Sequence, residues 1–284
     1  MWHRRRIDAL WFLALAVASC FFLWSCSGSA QGPVPTTVAA DTMAQVREGE
    51  PIAVGYIVWP PAVIKDPNTG QLSGHHVDAM NVIAREADIK LDWKETDWNT
   101  FVAELQNHTI DVMISGAYIT IPRAKVVSFT RPLFYLGNAA IVRPQETRFS
   151  KPEDLNAPGV TVAVTQGTGE HQWAQEYLSK ATIRAIGGSD LSLPLQEVVA
   201  GLATAAVSDA YTVQRFAETH REVKALFLDK PFNLTAVAWP VRRDDEAWKD
   251  FLNLSIGYLE SSRKLRRLEA KYNAPWTHVR VEYE

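Results

Sequence analysis

The sequence predicts an α/β protein built from two compact lobes. Short β-rich stretches alternate with helical patterns along most of the chain, and the stretches predicted as strands are apolar. This alternation favours mostly parallel sheets covered by helices. The folded part begins near Glu50 and leaves about 235 residues, which is long for a single hydrophobic core. Two lobes are therefore the expected arrangement.

Nine strands and seven helices are predicted in the folded part. The strands are 52–57, 90–94, 111–114, 139–142, 160–164, 182–186, 205–208, 225–228 and 236–241. The helices are 76–87, 97–107, 168–180, 191–203, 209–220, 244–261 and 262–272. The second helix illustrates the reasoning, because Asp97 is an N-cap residue and Phe101, Val102 and Leu105 then share one helical face.

The first thirty residues predict a secretory leader. Three arginines at 4–6 precede an apolar stretch at 9–24, and small residues follow up to Ala30. The apolar stretch is shorter than the roughly 20 residues that a membrane-spanning helix needs. A retained membrane anchor is the alternative. We assign 1–30 to a leader and 31–49, which show little pattern, to a tether.

Both cysteines, Cys20 and Cys26, lie in this leader. The mature domain is therefore expected to contain no disulfide, no cysteine zinc site and no thiol nucleophile. The stretch Leu23-Trp24-Ser25-Cys26 resembles a bacterial lipoprotein cleavage box. Cys26 is thus a candidate for lipidation, and ordinary cleavage near Ala30 is the alternative.

Composition and charge exclude several classes of function. The chain is 47% hydrophobic and 21% charged, as in a soluble globular protein, and its net charge of −3 gives no basic surface for nucleic acid. The adjacent pair His75 and His76 could suggest a metal, but neighbouring histidines at a helix start are usually solvated, and the sequence places no third ligand beside them. We expect neither a metal nor a cofactor.

Three junctions between a strand and a helix collect polar residues where ligands bind in such sheets. The residues are Gly116, Tyr118, Thr120 and Arg123 at the first junction, 165–170 at the second, and Ser208 and Asp209 at the third. The second junction contains glycines, which let backbone N–H groups approach a ligand. Together the junctions offer a guanidinium, free amides and a carboxylate.

An α-amino acid would satisfy that set, because it presents a carboxylate and an ammonium. Arginine suits the carboxylate, since its planar guanidinium donates two parallel hydrogen bonds. Structural alternatives remain for each residue. Arg123 could be an ordinary surface cation, Asp209 could only cap its helix, and Gly167 could only form a turn.

Five stretches of the chain carry a resemblance to a known family. They are IAVGYIVWPPAVIKDPNTGQLSGHHVDAMNVIARE, IDVMISGAYITIPRAKVVSFTRPLF, KPEDLNAPGVTVAVTQGTGE, GLATAAVSDAYTV and AWPVRRDDEAW. Through them, residues 52–272 resemble the bacterial extracellular solute-binding proteins of the polar amino-acid family. The resemblance covers nearly the whole mature chain.

The resemblance implies a two-lobed periplasmic-binding-protein fold of type II. Two strands, near 139–143 and 231–235, would cross between the lobes and let them close on a ligand in the cleft. We place lobe 1 at 50–140 plus 233–284 and lobe 2 at 141–232. The protein would be an exported, periplasmic and non-enzymatic monomer that presents its ligand to an ABC permease.

The resemblance also implies roles for individual residues. Arg123 would bind the ligand carboxylate and Asp209 its ammonium. Thr168 would add a backbone N–H to the carboxylate, and Gly116 a backbone carbonyl to the ammonium. Trp59 occupies the position of an aromatic residue that stacks on the ligand side chain.

Several residues depart from the family pattern. Tyr118 stands where many members carry a small hydroxyl residue, so we include it among the ligand-binding candidates and expect a narrower or aromatic pocket. Ala62 replaces the usual phenylalanine, His76 an acidic or polar residue, and Thr204 a frequent aspartate. These departures put the side chain of the ligand in doubt.

Two alternative functions follow from the same resemblance. The stretches TRFSKPEDLNAPGVTVAV and AQEYLSKATI also resemble periplasmic cyclohexadienyl dehydratases, which need a general acid in the closed cleft. In those enzymes a glutamate lies three positions after the residue that matches Asp209, and an asparagine lies in the loop of the second lobe. Here the two positions are Thr212 and Thr165, and a threonine cannot donate a proton as a carboxylic acid does. A binding protein that serves sensing rather than transport is the other alternative.

Overall fold

A computed structural model describes residues 41–274 of the chain. The strands are β1 (Ile52–Tyr56), β2 (Ile64–Lys65), β3 (Leu72–Ser73), β4 (Leu91–Glu95), β5 (Val112–Met113), β6 (Ala117–Tyr118), β7 (Val127–Phe129), β8 (Phe134–Val142), β9 (Thr161–Thr165), β10 (Thr182–Ile186), β11 (Ala205–Asp209), β12 (Lys224–Leu226), β13 (Phe232–Ala238) and β14 (Pro240–Arg242). The helices are α1 (Thr42–Glu48), α2 (His75–Glu86), α3 (Phe101–Gln106), α4 (Ile121–Ala124), α5 (Gly169–Tyr177), α6 (Leu193–Val199), α7 (Ala210–Thr219), α8 (Glu246–Ser261) and α9 (Lys264–Lys271). A short 3-10 helix covers Pro152–Leu155.

Two main sheets are present among the described residues, and both are mixed: one lies in lobe 1, and the larger one extends from lobe 2 through β8 and β13 to β6, whose Tyr118 packs in the core of lobe 1. The sheet of lobe 1 has the order β4-β1-β5-β14-β7, and the larger sheet has the order β10-β9-β11-β8-β13-β6, with β12 beside β8. Parallel pairing is confined to β4-β1-β5 and β10-β9-β11. The expectation of mostly parallel sheets is therefore wrong, because β8, β13 and β14 return in the opposite direction.

Strands β8 and β13 pair antiparallel and connect the lobes. The second half of β8 enters lobe 2, where it pairs with β11 from Ala205 to Asp209. Its residues alternate between two cores, because Ala140 and Val142 face one layer of helices while Ala139 and Ile141 face the other. The sheet of lobe 2 is thus covered on both faces.

The strand predicted at 236–241 divides between the two sheets. Residues up to Ala238 belong to β13 in the larger sheet, whereas Pro240–Arg242 form β14 in lobe 1. Trp239 lies at the change and is almost fully buried in the core of lobe 1. This change of sheet ties one crossing strand to the centre of lobe 1.

Residues 42–48 form helix α1, so the predicted tether ends earlier than expected. Asp41 caps the helix by accepting a hydrogen bond from the Ala44 amide at 3.1 Å. Buried Arg242 holds the helix to lobe 1, because it bonds the Thr42 hydroxyl and pairs with Asp245 at 2.9 Å. Arg242 also pairs with Asp111 at 2.6 Å. A short helix at the edge of a Gly-, Pro- and Thr-rich stretch gives little periodic signal.

The histidine pair is buried, which contradicts the expectation that it would be solvated. His75 and His76 begin α2 and are enclosed in lobe 1. His76 Nδ1 lies 2.7 Å from the Ile114 carbonyl, which can only accept, so Nδ1 carries the proton. Burial lowers the pKa of His76 well below its usual value and the pKa of His75 to about 4. Both rings are therefore neutral at pH 7.

The predicted leader, most of the tether and Cys26 lie outside the described residues. Among residues 41–274, no helix is long and apolar enough to cross a membrane.

Candidate functional site

One pocket between the lobes brings the six predicted ligand-binding residues together. It encloses about 370 Å³ of space, part of which is open to solvent. The lining residues are Trp59, Trp98, Gly116, Tyr118, Arg123, Leu136, Thr168, Gly169, Glu170, Leu191, Asp209 and Val237. The pocket is thus mostly apolar and carries a few charged groups.

Arg123 lies on α4, which follows the N-cap residue Thr120. Its Nη1 donates to the Tyr118 carbonyl at 3.0 Å, and its Nη2 donates across the cleft to the Gly167 carbonyl at 2.7 Å. The guanidinium also packs over the ring of Phe101, 5.1 Å from the ring centre. Burial lowers the pKa of Arg123 to about 10, so the group stays charged at neutral pH. It is not an ordinary surface cation.

Asp209 ends β11 and caps α7. Its Oδ1 accepts from the Thr212 amide at 2.9 Å, and its Oδ2 accepts from the Thr212 hydroxyl at 2.6 Å. The capping alternative is therefore correct, and the same carboxylate also lines the pocket. Asp209 is only 3% exposed, and this burial raises its pKa.

Gly167 and Thr168 form the second junction. Gly167 has φ +79°, and a β-carbon there would lie 2.5 Å from the Trp98 carbonyl oxygen of the other lobe. Gly167 is therefore required by both its backbone conformation and the close approach of the lobes. The Thr168 side chain caps α5 by accepting from the His171 amide at 3.3 Å. Its own amide lies 3.4 Å from the Thr165 carbonyl, which is a weak hydrogen bond.

Tyr118 fills the space that a small hydroxyl residue would leave. Its hydroxyl donates to Asn138 Oδ1 at 3.2 Å, and its ring lies against Gly169 of lobe 2. Gly116, two residues earlier, has φ +84°, and a β-carbon there would meet Val237 Cγ1 at 2.8 Å. Tyr118 therefore places an aromatic ring in the lining of the pocket.

Two indole groups join the lobes across the cleft. Trp59 Nε1 donates to Thr212 Oγ1 at 3.4 Å, and Trp98 Nε1 donates to the Ser189 carbonyl at 3.2 Å. Trp59 also stacks on Phe134, with 6.3 Å between the ring centres. Together with the bond from Arg123 to Gly167, these contacts describe a closed arrangement of the lobes.

Glu170 belongs to the second predicted junction, 165–170, but the sequence assigned it no contact with the ligand, and it lines the pocket. Glu170 is the second residue of α5 and is 6% exposed. Burial raises its pKa to about 7, and the nearby Asp209 carboxylate contributes to the rise. Glu170 ends the stretch TQGTGE at 165–170. An acidic residue that follows an N-cap threonine, as here, is typical of a solvated first helical turn. Trp98, Leu136, Leu191 and Val237 were also missed.

No metal site accompanies these groups in the part of the chain that the structure describes, since no three His, Cys, Asp or Glu side chains come together there. The fold and the pocket define a class of protein: two α/β lobes that enclose a small, charged, carboxylate-bearing or amine-bearing molecule between them. The groups suited to such a molecule come from both lobes.

The chain belongs to the bacterial extracellular solute-binding proteins, family 3, whose sequence model matches residues 52–275. Among curated relatives it is similar to the cyclohexadienyl dehydratase of Pseudomonas aeruginosa, at 28% identity over 74% of this chain and 78% of that protein. It is also similar to the probable histidine-binding protein of Neisseria gonorrhoeae, at 25% identity over 72% of this chain and 76% of that protein.

Solved structures show the same fold. The chain is similar to the ancestral amino acid-binding protein AncCDT-1, a precursor of cyclohexadienyl dehydratase, with a TM-score of 0.72 and 28% identity over 82% of this chain and 99% of that one. It is also similar to a variant of arginine-bound ArgBP from T. maritima, with a TM-score of 0.67 and 27% identity over 76% of this chain and 99% of that one. Solved amino-acid-binding proteins thus share this architecture.

Proposed function

We propose that this protein captures an α-amino acid in the periplasm, without chemical turnover, and presents it to an ABC permease. The observation that carries the proposal is the position of Arg123 and Asp209, which approach one pocket from opposite lobes with opposite charges. Arg123 binds the ligand carboxylate and Asp209 binds its ammonium. The relatives named as amino-acid-binding proteins support this reading.

Capture depends on closure of the lobes around the ligand. A ligand that contacts both lobes favours the closed state by its difference in affinity for the two states. The lobes would move about β8 and β13, the paired strands that connect them. The contact between Trp59 and Thr212 then forms beside the ligand, and Gly116 contributes its backbone carbonyl. Trp59 stacks on the ligand side chain, and Tyr118 limits its size.

A ligand screen tests this proposal. Thermal unfolding of the full chain is measured with each α-amino acid, with the corresponding keto acids and with prephenate. An α-amino acid at 100 times its dissociation constant should raise the free energy of unfolding by about 2.7 kcal/mol. If keto acids stabilise the protein and amino acids do not, the role of Asp209 is wrong.

A dehydratase-like enzyme is the second candidate, and Glu170 is the observation that favours it. This buried carboxyl has a pKa of about 7, so it holds a proton in the cleft, as a general acid must. At the position where the dehydratases carry their acidic residue, however, this chain has Thr212, whose hydroxyl donates a hydrogen bond to Asp209. Release of phenylpyruvate from prephenate would establish the enzyme, whereas binding without release supports capture.

A further inference from the structure

Glu170 is a second buried carboxyl in the pocket that holds Asp209. It enters the pocket from α5, whereas Asp209 comes from the end of β11. Both residues are nearly enclosed, at 6% and 3% exposure. A carboxylate in such a place is destabilised unless a cation or hydrogen bonds compensate its charge.

The charged groups around Glu170 leave this compensation incomplete. Asp209 repels a negative charge on it, and Arg123 from α4 attracts one. The Tyr118 phenol from β6 is within hydrogen-bonding reach of its carboxyl. Hydrogen bonds from the Glu170 backbone and from the Thr168 side chain favour the ionised form, but burial and Asp209 outweigh them. Of the strands packed against α5, β9 carries no titratable residue, and Arg184 of β10 pairs with Glu197.

On its own helix, His171 accepts at Nδ1 from the Gly167 amide, 3.3 Å away, and burial lowers its pKa. One guanidinium therefore faces two carboxyl groups in the pocket. An amino acid with an uncharged side chain brings only its carboxylate, which pairs with Arg123, and its ammonium, which pairs with Asp209. Glu170 is then left without a cation, and it must stay protonated. A second positive charge on the bound molecule would compensate it.

Asn138 supports an ionised Glu170 in the bound state. Asn138 is fully buried opposite Asp209 in the pairing of β8 with β11, and its Nδ2 has no acceptor among the described residues. The two orientations of an asparagine amide occupy the same space. In the reversed orientation, Nδ2 donates to the Tyr118 oxygen, which frees the phenol proton to bond to the Glu170 carboxylate. This orientation satisfies the buried donor.

We propose that Glu170 makes the pocket selective for an α-amino acid with a positively charged side chain, and that this ligand binds with release of the proton from Glu170. The inference rests on the proposed capture of an amino acid by Arg123 and Asp209. It adds that the side chain of the ligand is positively charged. It also makes binding depend on pH, because Glu170 pairs with this second positive charge only when its carboxyl is ionised.

Calorimetric titration of the full chain with L-arginine and L-glutamine tests the inference, since these probes differ in side-chain charge. L-Arginine should bind about tenfold tighter at pH 8 than at pH 6, because the free carboxyl loses its proton between these values. L-Glutamine should show no such gain. In buffers of different ionisation heat, L-arginine binding to the wild-type protein at pH 6 should release close to one proton.

The variant Glu170→Gln should lose the pH dependence and the preference for L-arginine over L-glutamine. Glu176→Gln on the exposed side of the same helix is the matched control and should retain both. Equal, pH-independent binding of the two amino acids would overturn the inference and leave amino-acid capture intact. Failure of every α-amino acid to bind the wild-type protein would overturn the proposed function and the inference together.

Discussion

The ring of Tyr118 in lobe 1 packs directly on the α-carbon of Gly169 in lobe 2. A β-carbon at Gly169 would lie 2.4 Å from Tyr118 Cδ2, which is closer than side chains approach. Gly169 does not need its conformational freedom here, because its φ is not in the left-handed region. Its role is to leave room for the tyrosine, so the large residue of one lobe is matched by the smallest residue of the other.

Gly169→Ala should therefore weaken closure around an amino acid. We expect roughly tenfold weaker binding, because overpacking of this size costs about 1–3 kcal/mol. The double variant Gly169→Ala/Tyr118→Ser should recover part of the loss. Titration of the double variant and of the single variants Gly169→Ala and Tyr118→Ser measures the coupling. Gly187→Ala is the control, because a β-carbon there has no atom closer than 3.7 Å. Independent effects of the two substitutions would contradict the packing argument.

Arg123→Ala should weaken amino-acid binding by about 30-fold or more. Loss of one partner of a buried, hydrogen-bonded charge pair costs roughly 2–5 kcal/mol. Calorimetric titration measures the affinity, and circular dichroism checks that the variant is folded. Arg221→Ala removes an exposed arginine of lobe 2 and serves as the control. Unchanged affinity in Arg123→Ala would refute the assignment of the carboxylate site.

Glu170→Gln should change how stability depends on pH. The folded-state pKa of about 7 exceeds the ordinary glutamate pKa of 4.5, so the folded protein binds more protons than the unfolded chain between these values. The free energy of unfolding of the wild type therefore falls as pH rises through 7. The variant has no carboxyl at this position, so its free energy of unfolding does not fall in this way. Between pH 4 and pH 8, its stability relative to the wild type should rise by on the order of 3 kcal/mol. Chemical unfolding without amino acids measures it.

In the same measurement, the stability of Glu176→Gln relative to the wild type should not rise with pH, since this glutamate is exposed. A constant difference between Glu170→Gln and the wild type across the pH range would show that folding leaves the pKa of Glu170 unshifted, which would contradict the rise caused by its burial.

Arg242→Met should destabilise lobe 1 and release α1. The substitution leaves the buried carboxylates of Asp111 and Asp245 without their cation, which costs about 3–5 kcal/mol. Thermal unfolding should shift down by roughly 10 °C. Amides of Thr42–Glu48 should also exchange faster with solvent. The exposed Arg221→Met is the control, and unaltered exchange in α1 would contradict its attachment through Arg242.

Residues at the ends of predicted strands could be assigned to the pocket from sequence. The strands before Gly116, Thr168 and Asp209 are apolar, and the residues that follow must lie at the sheet edge. All three line the pocket in the structure. Local pattern was sufficient here because the strand positions the next residue directly.

The remaining features depend on contacts between distant parts of the chain. Glu170 is buried because lobe 1 closes over the start of α5, and no pattern near Glu170 records that contact. His76 is buried against Trp239, which lies 163 residues away in sequence. Helix α1 is held by Arg242 from the other end of the domain. Sequence periodicity reports local faces, not which distant element covers them.

The hydrogen bonds of Trp59 and Trp98 to lobe 2 have an optical consequence. When the lobes separate, both indole rings lose their acceptors on Thr212 and Ser189 and gain contact with water. Tryptophan emission shifts to longer wavelength in a wetter surrounding, so opening should be visible in the protein's own fluorescence. The cleft thus contains an intrinsic reporter of its movement, and the kinetics of capture could be followed without any attached dye.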